Sequence, residues 1–306
     1  MNKGIIKFSC SALIVTLFVI VIDVLIGRIM DWMLPQTGNK GDLSLTNLGV
    51  NVVETPIVIV GSSRASHHYD SRIFADSLGI DAYNVGIDGC FFTHNCCVIN
   101  SIMERYSPEL IIWEFDPSYI YEHPDDISSM YPYYGKKDYI TQTLDELLPL
   151  SENIKLKSNL YRYNSKFIRI ITRFIQNDNV PDEYCGYKPS MPKKLKEPLR
   201  LKTVEYHSES IDSTKLCRLK ETIKTVNDRG IKIVLVYSPK YTNDSNTYQK
   251  ETVKIICQEY NVVFLDCSSL YLDHSEYFND PAHLNFIGAD IYTKHVTSLI
   301  KHMYYL

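Results

Sequence analysis

Three short segments of this 306-residue chain carry side chains that could together perform nucleophilic catalysis. Ser63 follows an apolar run, residues 84–89 include two glycines, and Asp280 stands three residues before His283. Histidine titrates near neutrality and can take the proton of a serine hydroxyl, while an aspartate can orient its imidazole. Glycines let backbone N–H groups approach a ligand closely, which suits a developing oxyanion. Each segment alone is also typical of an ordinary turn, so the hypothesis depends on their order and placement.

The elements around these segments predict an α/β domain. Five short apolar strands are predicted at 56–60, 82–85, 110–113, 231–237 and 262–265. Helices are predicted at 71–79, 93–106, 214–228, 248–260 and 285–302. Continuous apolar strands that alternate with helices are typical of a parallel sheet covered on both faces, here a three-layer α/β/α domain of about five strands. In such sheets the ligand site lies beyond the carboxyl ends of the strands, where Ser63 follows the first strand.

Taken in chain order, the segments resemble the SGNH (GDSL-type) hydrolase superfamily over residues 56–116 and 230–302. The family often has Gly-Asp-Ser where this chain has Gly-Ser-Ser ending at Ser63. The sequences GSSR, NVGIDG, WEFDPS and DPAHLNFIGA are most similar to the membrane-anchored, extracytoplasmic branch. That branch includes proteins similar to alginate-type O-acetyltransferases and D-alanyl transfer proteins.

The resemblance implies a role for each residue of the candidate site. Ser63 takes the position of the nucleophile, His283 that of the base and Asp280 that of its partner. The N–H groups of Ser63 and Gly89 take the position of the oxyanion hole. The implied activity is that of a serine esterase or O-acyltransferase, acting through an acyl-enzyme on an acetyl-type ester of a cell-envelope glycan. No cofactor is implied.

Two positions depart from the family pattern. Ser62 replaces the usual aspartate before the nucleophile, and the third block, 114–118, offers no asparagine as a second oxyanion donor. Ser118 is the residue there that could donate a hydrogen bond, whereas an ionised Asp116 would repel an oxyanion. Loss of one donor typically lowers the rate about 10²–10³-fold. The alternative is therefore a catalytically degenerate relative that serves as a glycan-binding or assembly partner, and a coincidence of α/β turns is the third interpretation.

Two further side chains are candidates for substrate binding. Arg64 could clamp an anionic substrate or pair with an acidic side chain, and Tyr237 could line the pocket or simply end its strand. His67 and His68 have no third or fourth ligand at a spacing that suits zinc, so no metal is expected. The eight cysteines include no C-x-x-C pair, and their pairing is left open.

The N-terminus predicts a membrane anchor. Residues 5–26 give roughly the 20 apolar residues that cross a bilayer. Lys3 and Lys7 precede the uncharged part of this run, which begins at Phe8. This favours the N-terminus inside and the rest of the chain outside the cytoplasmic membrane, as a single-pass protein. A cleaved signal peptide is the rival interpretation, but no small-x-small site follows the run.

These features predict the domain organisation. We expect an anchor at 1–32, a linker at 33–53 and an SGNH-like domain at 54–306, with a partly helical insertion at 117–208. The insertion is rich in tyrosines, which could stack on a sugar or pack the insertion itself. The formal net charge of −4 argues against a nucleic-acid partner.

Overall fold

The computed structural model of the protein describes residues 3–39, 41–121, 125–176, 182–193, 199–204, 211–244 and 247–304. The chain divides into two units that are each discontinuous in sequence. The first unit comprises Met1–Ser44 and Ser128–Val180, and the second comprises Leu45–Ile127 and Pro181–Leu306.

Each unit has its own set of elements. The α-helices of the described residues are α1 (Lys3–Met33), α2 (Asp42–Asn47), α3 (Ser63–His68), α4 (Ser71–Leu78), α5 (Phe92–Met103), α6 (Asp138–Leu147), α7 (Leu150–Lys155), α8 (Asn159–Tyr163), α9 (Phe167–Gln176), α10 (Ser213–Asp228), α11 (Thr247–Glu259) and α12 (Phe286–Tyr304). The strands of the described residues are β1 (Ile57–Val60), β2 (Ala82–Asn84), β3 (Leu110–Glu114), β4 (Lys202–Val204), β5 (Lys232–Tyr237), β6 (Thr242–Asp244), β7 (Val263–Asp266), β8 (Phe278–Asp280) and β9 (His283–Leu284). All the candidate site residues belong to the second unit.

Five strands of the second unit form one parallel sheet in the order β2-β1-β3-β5-β7. The strands β1 and β3 are buried along their whole length, as expected where helices cover both faces of a sheet. The register pairs Ile57 with Ala82 on one side and with Leu110 on the other. The predicted three-layer α/β/α domain with about five parallel strands is confirmed.

The strand order opens a crevice at one edge of the sheet. The chain passes from β1 to β2 on one side of β1, and it then returns to form β3 on the other side. Loops that leave neighbouring strands in opposite directions separate and leave a crevice outside the carboxyl ends of those strands. Ser63 follows β1 and Ser118 follows β3, so both lie at this edge of the sheet.

Helices cover both faces of the sheet. On one face, α3, α4 and α12 pack together and bury Phe74 and Tyr292 against Ile59 of β1. On the other face, α5 packs against α10, and all 12 residues of α5 are buried. The rings of Phe92 and Trp113 stack there with their centroids 6.0 Å apart. This packing fixes the strand ends that carry the candidate site.

Two small sheets were not expected from the sequence. β4 pairs with β6 in parallel, and β8 pairs with β9 in an antiparallel hairpin that contains a bulge. Strands of two or three residues leave too short a pattern for periodicity to reveal. The second of these sheets carries Asp280 and His283 and therefore belongs to the site.

The first unit is built around α1. This helix is long and apolar enough to cross a membrane by length and composition, and an 18-residue stretch of it has a mean hydropathy of 2.7. Its second half packs against α8 and α9, and Gly27 lies so close to Asn159 that a larger side chain would not fit there. The carboxylate of Asp23 accepts hydrogen bonds from the backbone N–H groups of Asn159 and Leu160, at 3.0 and 2.9 Å. The predicted anchor is thus one continuous helix that is fixed to its own unit at one end.

The segments on either side of the predicted domain boundaries are more structured than expected. Residues 42–52, within the predicted linker, form α2 and a π-helical turn at Leu48–Val52, and Val50 is fully buried. The predicted insertion at 117–208 divides between the two units. Its tyrosines include Tyr133 and Tyr163, which are buried within the first unit, so packing accounts for these two. All eight cysteines lie in the described residues, and no disulfide joins any of them there.

Candidate active site

The nucleophile turn connects β1 to α3. Gly61 has a positive φ of 154°, and a Cβ atom there would lie 2.7 Å from the side chains of Ala65 and Glu114. The turn can therefore pass this closely to β3 only with glycine at this position. Ser62 follows in an extended conformation and its hydroxyl lies 2.6 Å from that of Tyr119, and Ser63 then begins α3.

A bulged hairpin, β8–β9, carries the histidine and the aspartate. The carboxylate of Asp280 accepts hydrogen bonds from the backbone N–H groups of Ala282 and His283, at 2.9 and 3.1 Å. The same carboxylate lies 2.8 Å from Nδ1 of His283. Burial would raise the pKa of Asp280, but the hydrogen bonds from His283 and Ala282 outweigh it and lower that pKa. Asp280 thus both folds the turn and orients the imidazole.

The two loops bring Ser63, His283 and Asp280 into one chain of hydrogen bonds. Oγ of Ser63 lies 2.7 Å from Nε2 of His283, on the side of the ring away from Asp280. Because an ionised carboxylate only accepts hydrogen bonds, Nδ1 carries the ring proton of neutral His283 and Nε2 is free to accept one. The Ser63 hydroxyl therefore donates to a base that is already oriented, which is the arrangement of a serine nucleophile.

The loop after β2 is held against the nucleophile turn. The side-chain amide of Asn84 donates to the carbonyl oxygens of Ala65 and Tyr69, at 2.7 and 2.9 Å. A Cβ atom on Gly86 would lie 2.6 Å from that of Ala65, so glycine is needed for this close approach. Gly89 adopts a positive φ of 74° and no atom lies near the position that a Cβ would take. The predicted oxyanion glycine thus ends a loop fixed to the turn of Ser63.

Ser118 lies in a 3₁₀ turn after β3, at Pro117–Ile120. Its backbone N–H donates to a carboxylate oxygen of Asp116 at 2.9 Å. The group that Ser118 could offer to a ligand is therefore its hydroxyl, which is a weaker and more mobile donor than a fixed asparagine amide.

Arg64 and Tyr237 do not lie where a substrate could reach them. Arg64 is 4% exposed and Tyr237 is fully buried, and the guanidinium carbon lies 5.2 Å from the centroid of the tyrosine ring. One guanidinium nitrogen, Nη2, lies 3.0 Å from a carboxylate oxygen of Glu114 and 3.0 Å from one of Asp116. The expectation that these two residues bind substrate does not fit this burial. Arg64 does pair with acidic side chains, although these are buried.

The charges beneath the site are balanced. Lys240 lies 3.5 Å from Asp116, so two cations face the two carboxylates of Glu114 and Asp116. Burial raises the pKa of Glu114 even against the charge of Arg64. Burial also opposes ionisation of Asp116, but Arg64 and Lys240 outweigh it and lower that pKa. An ionised Asp116 in the third block is therefore neutralised locally, which reduces the repulsion that the sequence suggested for an oxyanion.

The sequence did not reveal the position of His68, which is fully buried beside the site. Its Nε2 accepts a hydrogen bond from the backbone N–H of Leu284 at 2.9 Å, directly after His283. Nδ1 must therefore carry the proton, which it donates to the hydroxyl of Ser238 at 2.9 Å. Burial, followed by the charge of Arg64, holds the pKa of His68 well below its ordinary value. Neutral His68 thus ties α3 to the loop of the base, a role that no side-chain pattern marks.

His67, one residue earlier, has a different environment. Its Nδ1 donates to the carbonyl oxygen of Lys188 at 2.7 Å, and its Nε2 lies 3.4 Å from the carboxylate of Asp88. Burial disfavours the charged form, but these two contacts outweigh it and raise the pKa of His67. The described residues contain no group of three or more His, Cys, Asp or Glu side chains that could hold a metal ion.

Comparison with known proteins adds little to this geometry. A protein-family model of unknown role matches residues 193–304, which include β8, β9 and α12. No curated protein matches the chain. Among solved structures, a protein from Bacteroides fragilis described as a "putative acylhydrolase" has a TM-score of 0.39 and 13% identity, over 81% of this chain and 86% of that one.

Proposed function

We propose that the protein is a serine esterase or O-acyltransferase that works through an acyl-enzyme on Ser63. The observation that carries this proposal is the hydrogen-bonded series from Ser63 Oγ to His283 Nε2, at 2.7 Å, and from His283 Nδ1 to Asp280, at 2.8 Å. All three side chains are partly exposed at the carboxyl edge of a parallel sheet, where a substrate can reach them. A hydrogen bond that served only stability would not need an accessible serine.

The mechanism follows from the direction of these hydrogen bonds. His283 Nε2 takes the hydroxyl proton as Ser63 Oγ bonds to the ester carbonyl carbon, and the carbonyl electron pair moves to its oxygen. When that oxyanion collapses, the bond to the alcohol breaks and His283 returns its proton to the leaving oxygen. The acyl group then remains on Ser63. Water or an acceptor hydroxyl, deprotonated in turn by His283, attacks the acyl-enzyme and releases Ser63.

The N–H groups of Ser63 and Gly89 are the proposed donors to the oxyanion, and the hydroxyl of Ser118 is a further candidate. The support is that the loop of Gly89 is tied to α3 through Asn84, which fixes it relative to the nucleophile. The balanced charge of Asp116 also supports a negatively charged intermediate at this edge.

The proposal has two further parts, the location of the protein and its substrate. We propose that α1 anchors the chain in the cytoplasmic membrane as a single-pass protein of the SGNH type, with the site on the extracytoplasmic side and a cell-envelope glycan ester as substrate. Lys3 and Lys7 before the apolar run support this orientation. A reporter fused after the last residue should therefore be active outside the cytoplasm, and activity inside would contradict the orientation.

A second candidate is a catalytically degenerate protein of the same fold that binds a glycan or assembles with an envelope partner. It is favoured by the third block, where Asp116 and Ser118 stand in place of an asparagine donor. It is also favoured by Ser62, whose hydroxyl is engaged with Tyr119. This candidate predicts binding that survives Ser63→Ala and no turnover by the wild type.

Labelling with a fluorophosphonate probe tests the proposal. The full-length chain, purified in mild detergent, should be labelled, and labelling should be lost in Ser63→Ala and in His283→Ala. Ser77→Ala, which removes an exposed hydroxyl of α4, is the matched control and should be labelled like the wild type. A folded wild type that neither reacts with the probe nor hydrolyses a small acetyl ester would overturn the proposal in favour of the degenerate protein.

A further inference from the structure

We infer that the segment 150–176 of the first unit, here called the collar, lies on an anionic lipid surface. The collar contains α7, α8 and α9 and packs around the second half of α1. This inference rests on the proposed membrane anchor, and it adds a second contact between the protein and the bilayer.

The burial of α1 marks where the anchor leaves the bilayer. Every side chain from residue 3 to residue 21 is exposed, while Gly27, Met30 and Met33 are buried. At 1.5 Å per residue, the exposed part spans about 30 Å, which is the thickness of the hydrocarbon core of a membrane. Beyond this part, protein covers α1 on one side, where Gly27, Met30 and Met33 lie, while Val24, Leu25, Ile29 and Trp32 stay exposed on the other. We therefore place the surface of the hydrocarbon core at about the level of Asp23, where this cover begins.

The collar is fixed to α1 at that level. The carboxylate of Asp23 accepts hydrogen bonds from the hydroxyl of Ser158 at 2.7 Å and from the first backbone N–H groups of α8. Further along α1, the rings of Trp32 and Phe174 lie 5.0 Å apart, which attaches α9. α8 and α9 therefore extend from the membrane surface along the emerging part of the anchor, which is the zone of the lipid headgroups.

α9 has the composition of a helix that lies in this zone. Ile168, Ile171 and Ile175 share one face because they are spaced i, i+3 and i+7. Ile168 is 77% exposed and Ile175 is 74% exposed, whereas Ile170 on the opposite side is buried against the unit. Arg169, Thr172 and Gln176 are exposed on the neighbouring face. An exposed apolar stripe beside a polar stripe is typical of helices that lie flat in a membrane interface.

The apolar surface continues from α9 to α8 and α7. An open groove of about 530 Å³ lies between α8 and α9, and its lining consists of Ser158, Leu160, Tyr161, Asn164, Phe167 and Ile168. Leu150 and Ile154 of α7 are also exposed. Exposed isoleucine and leucine side chains in this number exceed what a water-facing surface usually carries.

The charge of the collar favours lipid over another protein surface. Residues 150–176 contain six Lys or Arg and one Glu, within a chain whose net charge is −4. Basic residues beside an apolar stripe are attracted to anionic lipid headgroups while the stripe enters the acyl boundary. Because the collar packs against α1, the bilayer that α1 enters is the surface that the collar would contact.

Quenching of tryptophan fluorescence by brominated lipid tests the inference. The chain has two tryptophans, and Trp113 is fully buried, so Trp32→Phe gives a background in which new tryptophans report. In the full-length chain, reconstituted in phosphatidylcholine–phosphatidylglycerol vesicles, we introduce Ile168→Trp as the probe. Val15→Trp reports on the anchor, and Ile255→Trp, on the exposed side of α11, is the control. The emission of the Trp32→Phe protein, which comes from Trp113, is subtracted from that of each probe protein. Acyl-chain bromination should then reduce the remaining emission, which the Ile168→Trp substitution adds, at least about twofold, as expected for a side chain at the acyl boundary.

The outcomes separate the collar from the anchor. Quenching of the Val15→Trp protein, with the Ile168→Trp protein quenched no more than the Ile255→Trp protein, would overturn the inference and leave the anchor standing. Absence of quenching at all three positions would overturn the anchor and the collar together. Emission from the Ile168→Trp protein that is shielded from both brominated lipid and aqueous iodide would show that protein covers this face, which also contradicts the inference.

Discussion

The short helix α3 contributes residues to both the exposed and the buried half of the candidate site. The rim, which we define as Ser63, His67, Asp280 and His283, consists of partly exposed side chains. The floor comprises the buried side chains of Arg64, His68, Glu114, Asp116 and Tyr237. Within α3, Ser63 and His67 are four residues apart and so are Arg64 and His68, so each pair shares one face of the helix. Adjacent residues therefore belong to opposite halves of the site.

The rim and the floor have different roles. The rim holds the groups whose protons can move, and its geometry is open to a substrate. The floor holds charges and hydrogen bonds that connect α3 to the ends of β3 and β5 and to the loop of the base. We therefore expect substitutions in the rim to lower activity with little effect on stability. Substitutions in the floor should lower stability first.

Asp280→Asn should have the largest effect, which is a loss of activity. An asparagine can keep the turn but favours the wrong tautomer of His283, which typically lowers kcat about 10⁴-fold. Turnover of a small acetyl ester measures this loss, and the melting temperature should change little. Asp290→Asn, which alters an exposed pair with Lys294 in α12, is the matched control and should retain full activity. If Asp280→Asn remained as active as this control, the rim would not be a catalytic site.

Arg64→Met should have the next largest effect, which is a loss of stability. It removes the cation that pairs with both buried carboxylates, Glu114 and Asp116, and leaves Lys240 beside Asp116. Breaking a buried ion pair in this way typically lowers the free energy of unfolding by about 3–5 kcal/mol. Arg72→Met is the control, because its pair with Asp70 is partly exposed and such pairs contribute about 1 kcal/mol or less. Urea titrations in mild detergent compare the two, and equal losses would remove the distinction between floor and surface.

The sequence predicted the parts of the fold and site that depend on local patterns. Apolar runs revealed the five central strands, and the order of Ser63, Gly89 and the Asp280–His283 pair gave the hypothesis of a catalytic site. The sequence could not decide between the two roles considered for Arg64, because its burial depends on Glu114 and Asp116, some 50 residues away at the end of β3. The sequence shows that the charged residue Arg64 follows Ser63, but it does not show whether the Arg64 side chain points to solvent or into the protein.

The role of His68 was missed for a related reason. Its partners are a backbone N–H and a serine hydroxyl, and neither leaves a recognisable spacing in the sequence. The small strands β8 and β9 were missed because they are too short for periodicity. In each case the missing information is tertiary, since it concerns which distant segment comes to lie beside the residue.

His68→Leu should lower both stability and activity, because His68 connects the floor to the loop that carries His283 in the rim. It leaves the Leu284 N–H and the Ser238 hydroxyl without their partner, and each unsatisfied buried group typically lowers stability by about 1–3 kcal/mol. It should also lower kcat about 10–10²-fold, because His283 is the residue before Leu284 and small displacements of a base are costly. His68→Gln retains an acceptor for the Leu284 N–H and should recover most of the activity. An activity loss that the glutamine did not rescue would contradict a positioning role.

The smallest expected effect concerns how stability depends on pH. The adjacent residues His67 and His68 should contribute to this dependence with opposite signs. The pKa of His68 is held below the ordinary value of about 6.5, so its contribution to stability is present above that pH and is lost as pH falls towards the folded-state pKa. The pKa of His67 is raised, so its contribution is present below about pH 6.5 and is lost as pH rises through its folded-state pKa.

Replacing each of these histidines with glutamine should therefore change acid sensitivity in opposite directions. Below about pH 6.5, His68→Gln should remove a decline in the free energy of unfolding of up to about 1.4 kcal/mol per pH unit as the pH falls. Above about pH 6.5, His67→Gln should instead remove a decline in the free energy of unfolding that occurs as the pH rises. His94, whose pKa burial lowers to about 4, contributes to the decline in all three proteins, so the differences between variants carry the result. Urea titrations between about pH 5 and 7.5 measure these differences. If both variants changed the slope in the same direction, neighbouring residues of α3 would not occupy the opposite environments that separate rim from floor.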